Sequence, residues 1–497
     1  MKPRNIELQP QNELFKVRLT DLLDMSHPLC RLSTLIDWQQ LDEEIAPNFS
    51  DEGAPALPSR LVAGLIYLQH AEKLSDEAVV ERWIQNPYWQ HFTGEHFFQH
   101  QFPCDPSSLT RWRKRLGEAG CEWLLAATIN AGLSGGAITK TSLKRVVVDT
   151  TVHDCMDAGG RATQEAKAEE KNITFPTDSQ LYYKSRKQLV NVARELNITL
   201  RQTYQKEDRM LAIKVGRYAH AKQFRRMKRA VKKLKGHLGR VYRDLLRKLP
   251  EQANLTEYQQ RCIHHASRLL KQTRNSKKKL YSLHAPEVDC ISKGKSHKRY
   301  EFGVKASIAT TLRECFVVGA RSFSGNPYDG HTLSSQLEQV SILSDQEPEE
   351  VYVDRGYKGH QHEGKTKVYI AGQKRGMGAR QKTRMNRRNS VEPVIGHLKS
   401  DGKMGRCYLK GEIGDALNVI LCGAGHNIRK LLRWLYFALI KWHVNPTKAR
   451  LHLEKIAVMV EKVRAMEWLG QNFSGGTKKL LLTLSDKIAY SGSTRLT

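Results

Sequence analysis

Apolar residues recur at helical spacing through the first part of the chain, and strand-like runs appear only later. From Ser59 to Leu74, the residues Leu61, Val62, Leu65, Ile66 and Leu68 trace one helix. Ser75 stands where a cap would open the next, which carries Ala78, Val79, Val80 and Trp83. Aromatic residues crowd the stretch NPYWQHFTGEHFFQHQF. Asp105 followed by Pro106 then signals a further helix, SSLTRWRKRLGEAG. Residues 1 to about 135 therefore read as an all-α region.

The first convincing strand is Lys144 to Val152, where Val146, Val147 and Val148 form a run suited to burial on both faces. Polar, mostly helical sequence follows from about 155 to 290. Between Lys214 and Lys248 it is dominated by Lys and Arg, with Asp244 the lone acid and Leu234, Leu238, Val241, Leu245 and Leu246 a narrow apolar stripe. Strands resume at Arg299. RYEFGVKASIAT and ECFVVGARSFSG form a hairpin across TLR, and GNPYDG is a turn cluster. HTLSSQLEQVSIL is a helix, EEVYVDRGY and KTKVYIAG are strands, and a basic loop leads to RRNSVEPVIGHLK. A long apolar helix is expected near 414 to 440. This order matches an α/β class: an RNase H-like mixed sheet over 136–440, with a long helical insert after its first strand and an all-α region before it. Residues 441–497 have no assigned role, although HLEKIAVMVEKVRAMEWLG suits one helix.

Charge narrows the partner. The formal net charge is +30 over 497 residues, which points to nucleic acid or an anionic surface. No stretch offers about 18 uncharged apolar residues, so a membrane span is not expected. The N-terminus has no apolar signal core, and the nine Cys include no CxxC pair, so a reducing cytoplasm is the expected compartment. The helix opened by Ser107 carries Arg111, Arg113, Lys114 and Arg115, candidate DNA contacts or simply a solvated basic face. The basic insert invites the same two readings.

Three acids occupy informative places. Asp149 lies on the first strand, Asp354 at the end of a later one, and Glu392 one turn into a basic helix. In an RNase H-like sheet these places converge. Three carboxylates suffice to hold two Mg2+ ions about 3.5–4 Å apart if one bridges both. Asp149 is assigned the bridge, and Asp354 and Glu392 complete one ion each, with Mn2+ able to substitute. Each acid also has a plainer reading: a strand-end turn or cap for Asp149, a turn start at Asp-Arg-Gly-Tyr, and a dipole-favoured first-turn Glu. Arg388 and Lys399, four before and seven after Glu392, fall near its helix face and are candidate DNA-phosphate contacts.

These motifs resemble the IS5 group of the IS4-like DDE transposases over about residues 20 to 440. VVVDTTV matches the strand–Asp pattern, and Asp354, Gly356 and Tyr357 match Asp-x-Gly-Tyr. Arg388, Glu392 and Lys399 match Tyr-x2-Arg-x3-Glu-x6-Lys, with Met385 at the Tyr position. GKSHKRYEFGVKAS and GNPYDGHTL are also similar, and His331 becomes a candidate neighbour of the site. The resemblance implies a bacterial enzyme, cytoplasmic and nucleoid-associated when bound, that recognises the terminal inverted repeats of its own element. It implies cleavage at the ends, attack of a 3′-hydroxyl on target DNA, and a homodimer or larger assembly on double-stranded DNA. Two other readings share the charge: a non-transposing RNase H-like nuclease, and an inactive DNA-binding remnant or repressor.

Overall fold

The computed structural model describes residues 16–49, 56–154, 176–250, 254–273, 275–292, 300–373 and 376–443. Residues 1–433 cluster as one unit and 434–497 as another, so the extension expected over 441–497 lies almost wholly outside the described residues.

Among the described residues, seven helices precede the sheet: Leu19–Leu22, Pro28–Leu35, Trp38–Ile45, Ser59–Ala71, Asp76–Gln85, Pro87–Phe92 and Ser107–Gly135; a single turn, Lys140–Leu143, leads into the first strand. Local chemistry starts them where the sequence indicates. Ser75 Oγ accepts from Ala78 N at 3.1 Å, and Asn86 caps the next helix with Pro87 in its first turn. Ser59–Ala71 is buried on nearly every side, as a helix apolar all round must be. The Ser107–Gly135 helix breaks at Gly117, whose φ of 63° no other residue type adopts cheaply.

Arg113 corrects one expectation. It is buried, pairs with Asp76, and donates to Gln69 and Thr110. It therefore holds two helices together and is not a DNA contact. Arg111, Lys114 and Arg115 remain exposed, with Arg115 over the Phe49 ring at 5.1 Å.

Among the described residues, six strands form one mixed sheet: β1 Arg145–Asp154, β2 Asp289–Ser292, β3 Tyr300–Thr311, β4 Val317–Phe323, β5 Glu350–Val353 and β6 Lys367–Ile370. β1 is central, antiparallel to β3 and parallel to β5, which is parallel to β6. β2 and β4 both pair with β3. Val146, Val147 and Val148 are fully buried, which is why that run is unbroken by polar residues. β2 was not expected from sequence.

Among the described residues between β1 and β2 stand four helices, Asp178–Glu195, Gln205–His220, Phe224–Lys248 and Glu257–Lys271, around an apolar core of their own. Inside it the carboxylate of Asp208 faces Arg186 at 2.8 Å and His237 Nδ1 at 2.6 Å. The Gly411–His443 helix is fixed to the sheet through Asn427. Its amide accepts from Val317 N at 2.9 Å, and donates to Val317 O at 2.8 Å and Thr128 Oγ1 at 3.0 Å. No helix among the described residues is long and apolar enough to cross a membrane.

Two buried imidazoles make the fold acid-sensitive. Burial, aided by Arg268, pushes His265 down to about 4, and burial with Arg429 and Lys430 pushes His426 down to about 3. Both are neutral when folded, and the unfolded chain takes up these protons below about 6.5. Their contribution is complete above that pH and is lost as pH falls toward 4 and 3. For His426 the full window is worth on the order of 5 kcal/mol. Calorimetry at pH 7 and pH 4.5 should show a clear loss of stability in the wild type and a smaller loss in His426→Gln. Equal losses in both would contradict this assignment.

Candidate active site

Asp149 sits midway along β1, where its carboxylate is only 16 % exposed. Its Oδ1 accepts from the backbone N of Thr150 at 2.8 Å. Asp354 directly follows β5 and opens a 3-10 turn, Arg355–Tyr357, accepting from Gly356 N at 2.8 Å. The plain reading of Asp354 as a turn starter is thus also true, and it leaves a second carboxylate oxygen for other work. Glu392 lies in the first turn of the Val391–Ser400 helix, 66 % exposed.

One cation connects two of these acids. Arg388 reaches Asp149 Oδ2 with one guanidinium nitrogen and Glu392 Oε1 with the other, each at 3.8 Å. Lys399 is seven residues beyond Glu392 on the same helix face, about 10 Å along the axis. Met385, at the motif position expected to be Tyr, packs against Val147, Leu312, Tyr352 and Val391. It anchors the basic Ala379–Arg387 helix to the sheet.

A fourth acid joins the group. Asp329 begins the Asp329–Ser344 helix, and its Oδ1 accepts from Thr150 Oγ1 at 2.9 Å and Lys305 Nζ at 2.8 Å. A Cβ on Gly356 would come 2.9 Å from Asp329 Oδ2 and 3.0 Å from Asp354 Oδ1, so glycine there lets the two carboxylates approach. The buried hydroxyl of Tyr357 registers this convergence. Burial first, then the charges of Asp149, Asp329 and Asp354, holds its pKa well above the ordinary phenol value. The sequence offered GNPYDG as a turn and GNPYDGHTL as part of the family resemblance, but gave Asp329 no role. The usable signal was an Asp opening a helix soon after a strand. The His331 ring contacts Tyr328 edge-on, with centroids 5.5 Å apart.

Asp149, Asp354 and Glu392 do not close into a tight ligand set here. Among the described residues, the one set of three candidate ligands within 4.8 Å is His153, Cys407 and Asp415, all buried. His153 Nδ1 faces Met404 O at 2.8 Å and its Nε2 faces Asn418 Nδ2 at 3.1 Å. That pattern places the proton on Nδ1 and makes Nε2 an acceptor from the amide. The imidazole ties the end of β1 to the segment after the Glu392 helix.

For a hard divalent cation the acids around Asp149 are the better donors, because they offer only oxygen and lie in part open to solvent. Their mutual repulsion is offset by Arg388 and Lys305, cations that mark a site built around concentrated negative charge.

Residues 17–115 match the family model described as Transposase domain (DUF772), and residues 357–432 match Transposase DDE domain. The chain is also 44 % identical over 214 residues to the uncharacterized protein ORF8 in the nfe locus of Rhizobium meliloti, covering 43 % of this chain and 96 % of that protein. No solved structure matches. The second matched segment contains Arg388, Glu392 and Lys399, and of these Arg388 reaches Asp149. With a helical transposase segment ahead of a mixed sheet and a DDE segment running from the sheet's last strand through the Glu392 helix, the chain belongs to the DDE transposases of insertion sequences.

Proposed function

We propose that the chain is an IS5-group enzyme whose residues 136–440 form an RNase H-like catalytic domain, with residues 1–135 serving DNA binding. It acts in the bacterial cytoplasm. It binds the terminal inverted repeats of its element, cuts there, and joins a 3′-hydroxyl to target DNA as a homodimer or larger assembly. The observation that carries this reading is Arg388 bridging Asp149 and Glu392 at 3.8 Å on each side, beside Asp354 and Asp329. The strand order supports the fold reading. β1, β5 and β6 run parallel, and β3 and β4 extend the other edge antiparallel.

The reaction is displacement at phosphorus. A new bond forms from phosphorus to a water or 3′-hydroxyl oxygen as that oxygen gives up its proton, the old P–O bond breaks, and the departing oxygen takes up a proton. Asp149, Asp354 and Glu392 would hold two Mg2+ ions, which supply charge neutralisation and an activated oxygen. Arg388 is placed to leave its two carboxylates for a phosphate oxygen, since guanidinium pairs with either. Lys399 grips the backbone farther along the helix, and Asp329 keeps Lys305 and Thr150 beside Asp149.

The test is cleavage of a labelled linear DNA carrying the element's inverted repeat, with Mg2+ and then Mn2+, by wild type and Glu392→Gln. Cuts at the repeat boundary by wild type alone are expected. Repeat binding without cuts by either protein would overturn the enzymatic reading in favour of a DNA-binding remnant. Cuts with no joining to a second duplex would favour a nuclease.

A further inference from the structure

We propose that a second basic groove, between the start of β1 and the Ala379–Arg387 helix, clamps the DNA backbone a few nucleotides from the reacting phosphate. The guanidinium groups of Arg145, Arg313, Arg380, Arg384 and Arg387 line this one groove. The hydroxyls of Thr141, Ser142 and Thr383 stand among them. Three of the arginines repeat at spacings of four and three on a single helix, so they share a face and span about 10 Å.

Two acids, Glu314 in the groove lining and Glu350 paired with two of its arginines, cancel only part of this charge. Glu350 takes two hydrogen bonds from Arg384, at 2.6 and 2.9 Å, and lies 3.6 Å from Arg145. Glu314 accepts from Ser142 at 3.1 Å. Arg313, Arg380 and Arg387 are exposed, and among the described residues none of the three is ion-paired. The Ala379–Arg387 helix has no fully buried residue, and its arginines contribute to a surface and not to a core. Concentrated like charge of this kind is relieved by a polyanion, and forked guanidinium donors with nearby hydroxyls suit phosphate oxygens.

Position selects the backbone of a long strand over a small anion. Arg387 adjoins Arg388, which touches Asp149 and Glu392. At the other end Arg145 precedes Asp149 by four residues of β1, about 13 Å or roughly four nucleotides of rise. A strand with its reacting phosphate at the carboxylates can therefore continue into the groove. This assignment rests on the reading of those carboxylates as the cutting site.

The experiment measures binding of a 30-base-pair duplex by the full chain across a NaCl series, in EDTA so that cleavage plays no part. The variant is Arg313→Gln, Arg380→Gln, Arg387→Gln in one chain, with the corresponding triple Lys variant beside it. The salt slope of the Gln variant should fall by about two to three, and its affinity at 150 mM salt by roughly tenfold to a hundredfold. The Lys variant should recover the slope, because charge neutralisation and not guanidinium shape sets it. Melting temperatures of all three proteins should agree, since every replaced side chain is exposed. An unchanged slope in the Gln variant, a Lys variant with the same reduced slope, or a wild type that binds no duplex would each overturn the clamp. Absence of cuts by the wild type in the cleavage assay has no bearing on these slopes, so the two readings fail separately.

Discussion

Asp354→Asn is expected to slow metal-dependent cleavage of repeat DNA by at least about a thousandfold, about 4 kcal/mol of barrier. Asparagine keeps the oxygen that accepts from Gly356 N, so the turn after β5 survives while the charge that would hold a cation is gone. Duplex affinity in EDTA should stay within about twofold, because the substitution removes no basic group. A second readout needs no DNA. Mg2+ that binds only the folded wild type raises its melting temperature, and the variant should lose that rise. Cleavage at wild-type rates by Asp354→Asn would remove this residue from the chemistry and leave it a turn residue.

Asp76→Ala should destabilise the chain by about 3–5 kcal/mol, because it strands the buried charge of Arg113. Burial alone would raise the Asp76 pKa, but the Arg113 charge and the hydrogen bonds from Arg113, Gln69 and Thr110 hold it below the usual carboxylate range. Its contribution is therefore present above about pH 4 and is lost as pH falls through the lowered folded value. Pairing Asp76→Ala with Arg113→Met should restore much of the loss, since an apolar side chain leaves no charge to strand. Denaturant titration of the three variants checks this. A double variant no more stable than Asp76→Ala would mean that the pair itself, and not the stranded charge, carries the energy.

Arg113 also shows where sequence reading stopped. Leu109, Trp112 and Leu116 mark the inward stripe of its helix, and Arg113, four residues after Leu109, falls on that same face. The period was available, but the basic run drew attention to solvent. A partner 37 residues earlier, Asp76, decides the matter, and no local pattern announces it. The buried strand β1, the hairpin of β3 and β4 and the helix of Glu392 were legible, because unbroken apolar runs, short turns and caps act locally. β2 was missed because it is four residues long and pairs only with the start of β3. Asp329 was missed for a related reason. Its value comes from Gly356 and Thr150, which approach it only when three separate segments fold together.

The placement of the helical insert sets a timetable for synthesis. β1 has its antiparallel partner far downstream: Asp154 pairs with Gly303 and Val146 with Thr311. On a ribosome adding roughly 5–20 residues per second, the valine run waits on the order of ten seconds for its neighbour. The four helices between them have their own core and can mature during the delay. A nascent chain thus carries a folded basic module beside an unpaired apolar strand, a combination that invites aggregation, and slower elongation prolongs it. Weaker expression, which keeps fewer such chains present together, lets that strand meet β3 before it meets another chain.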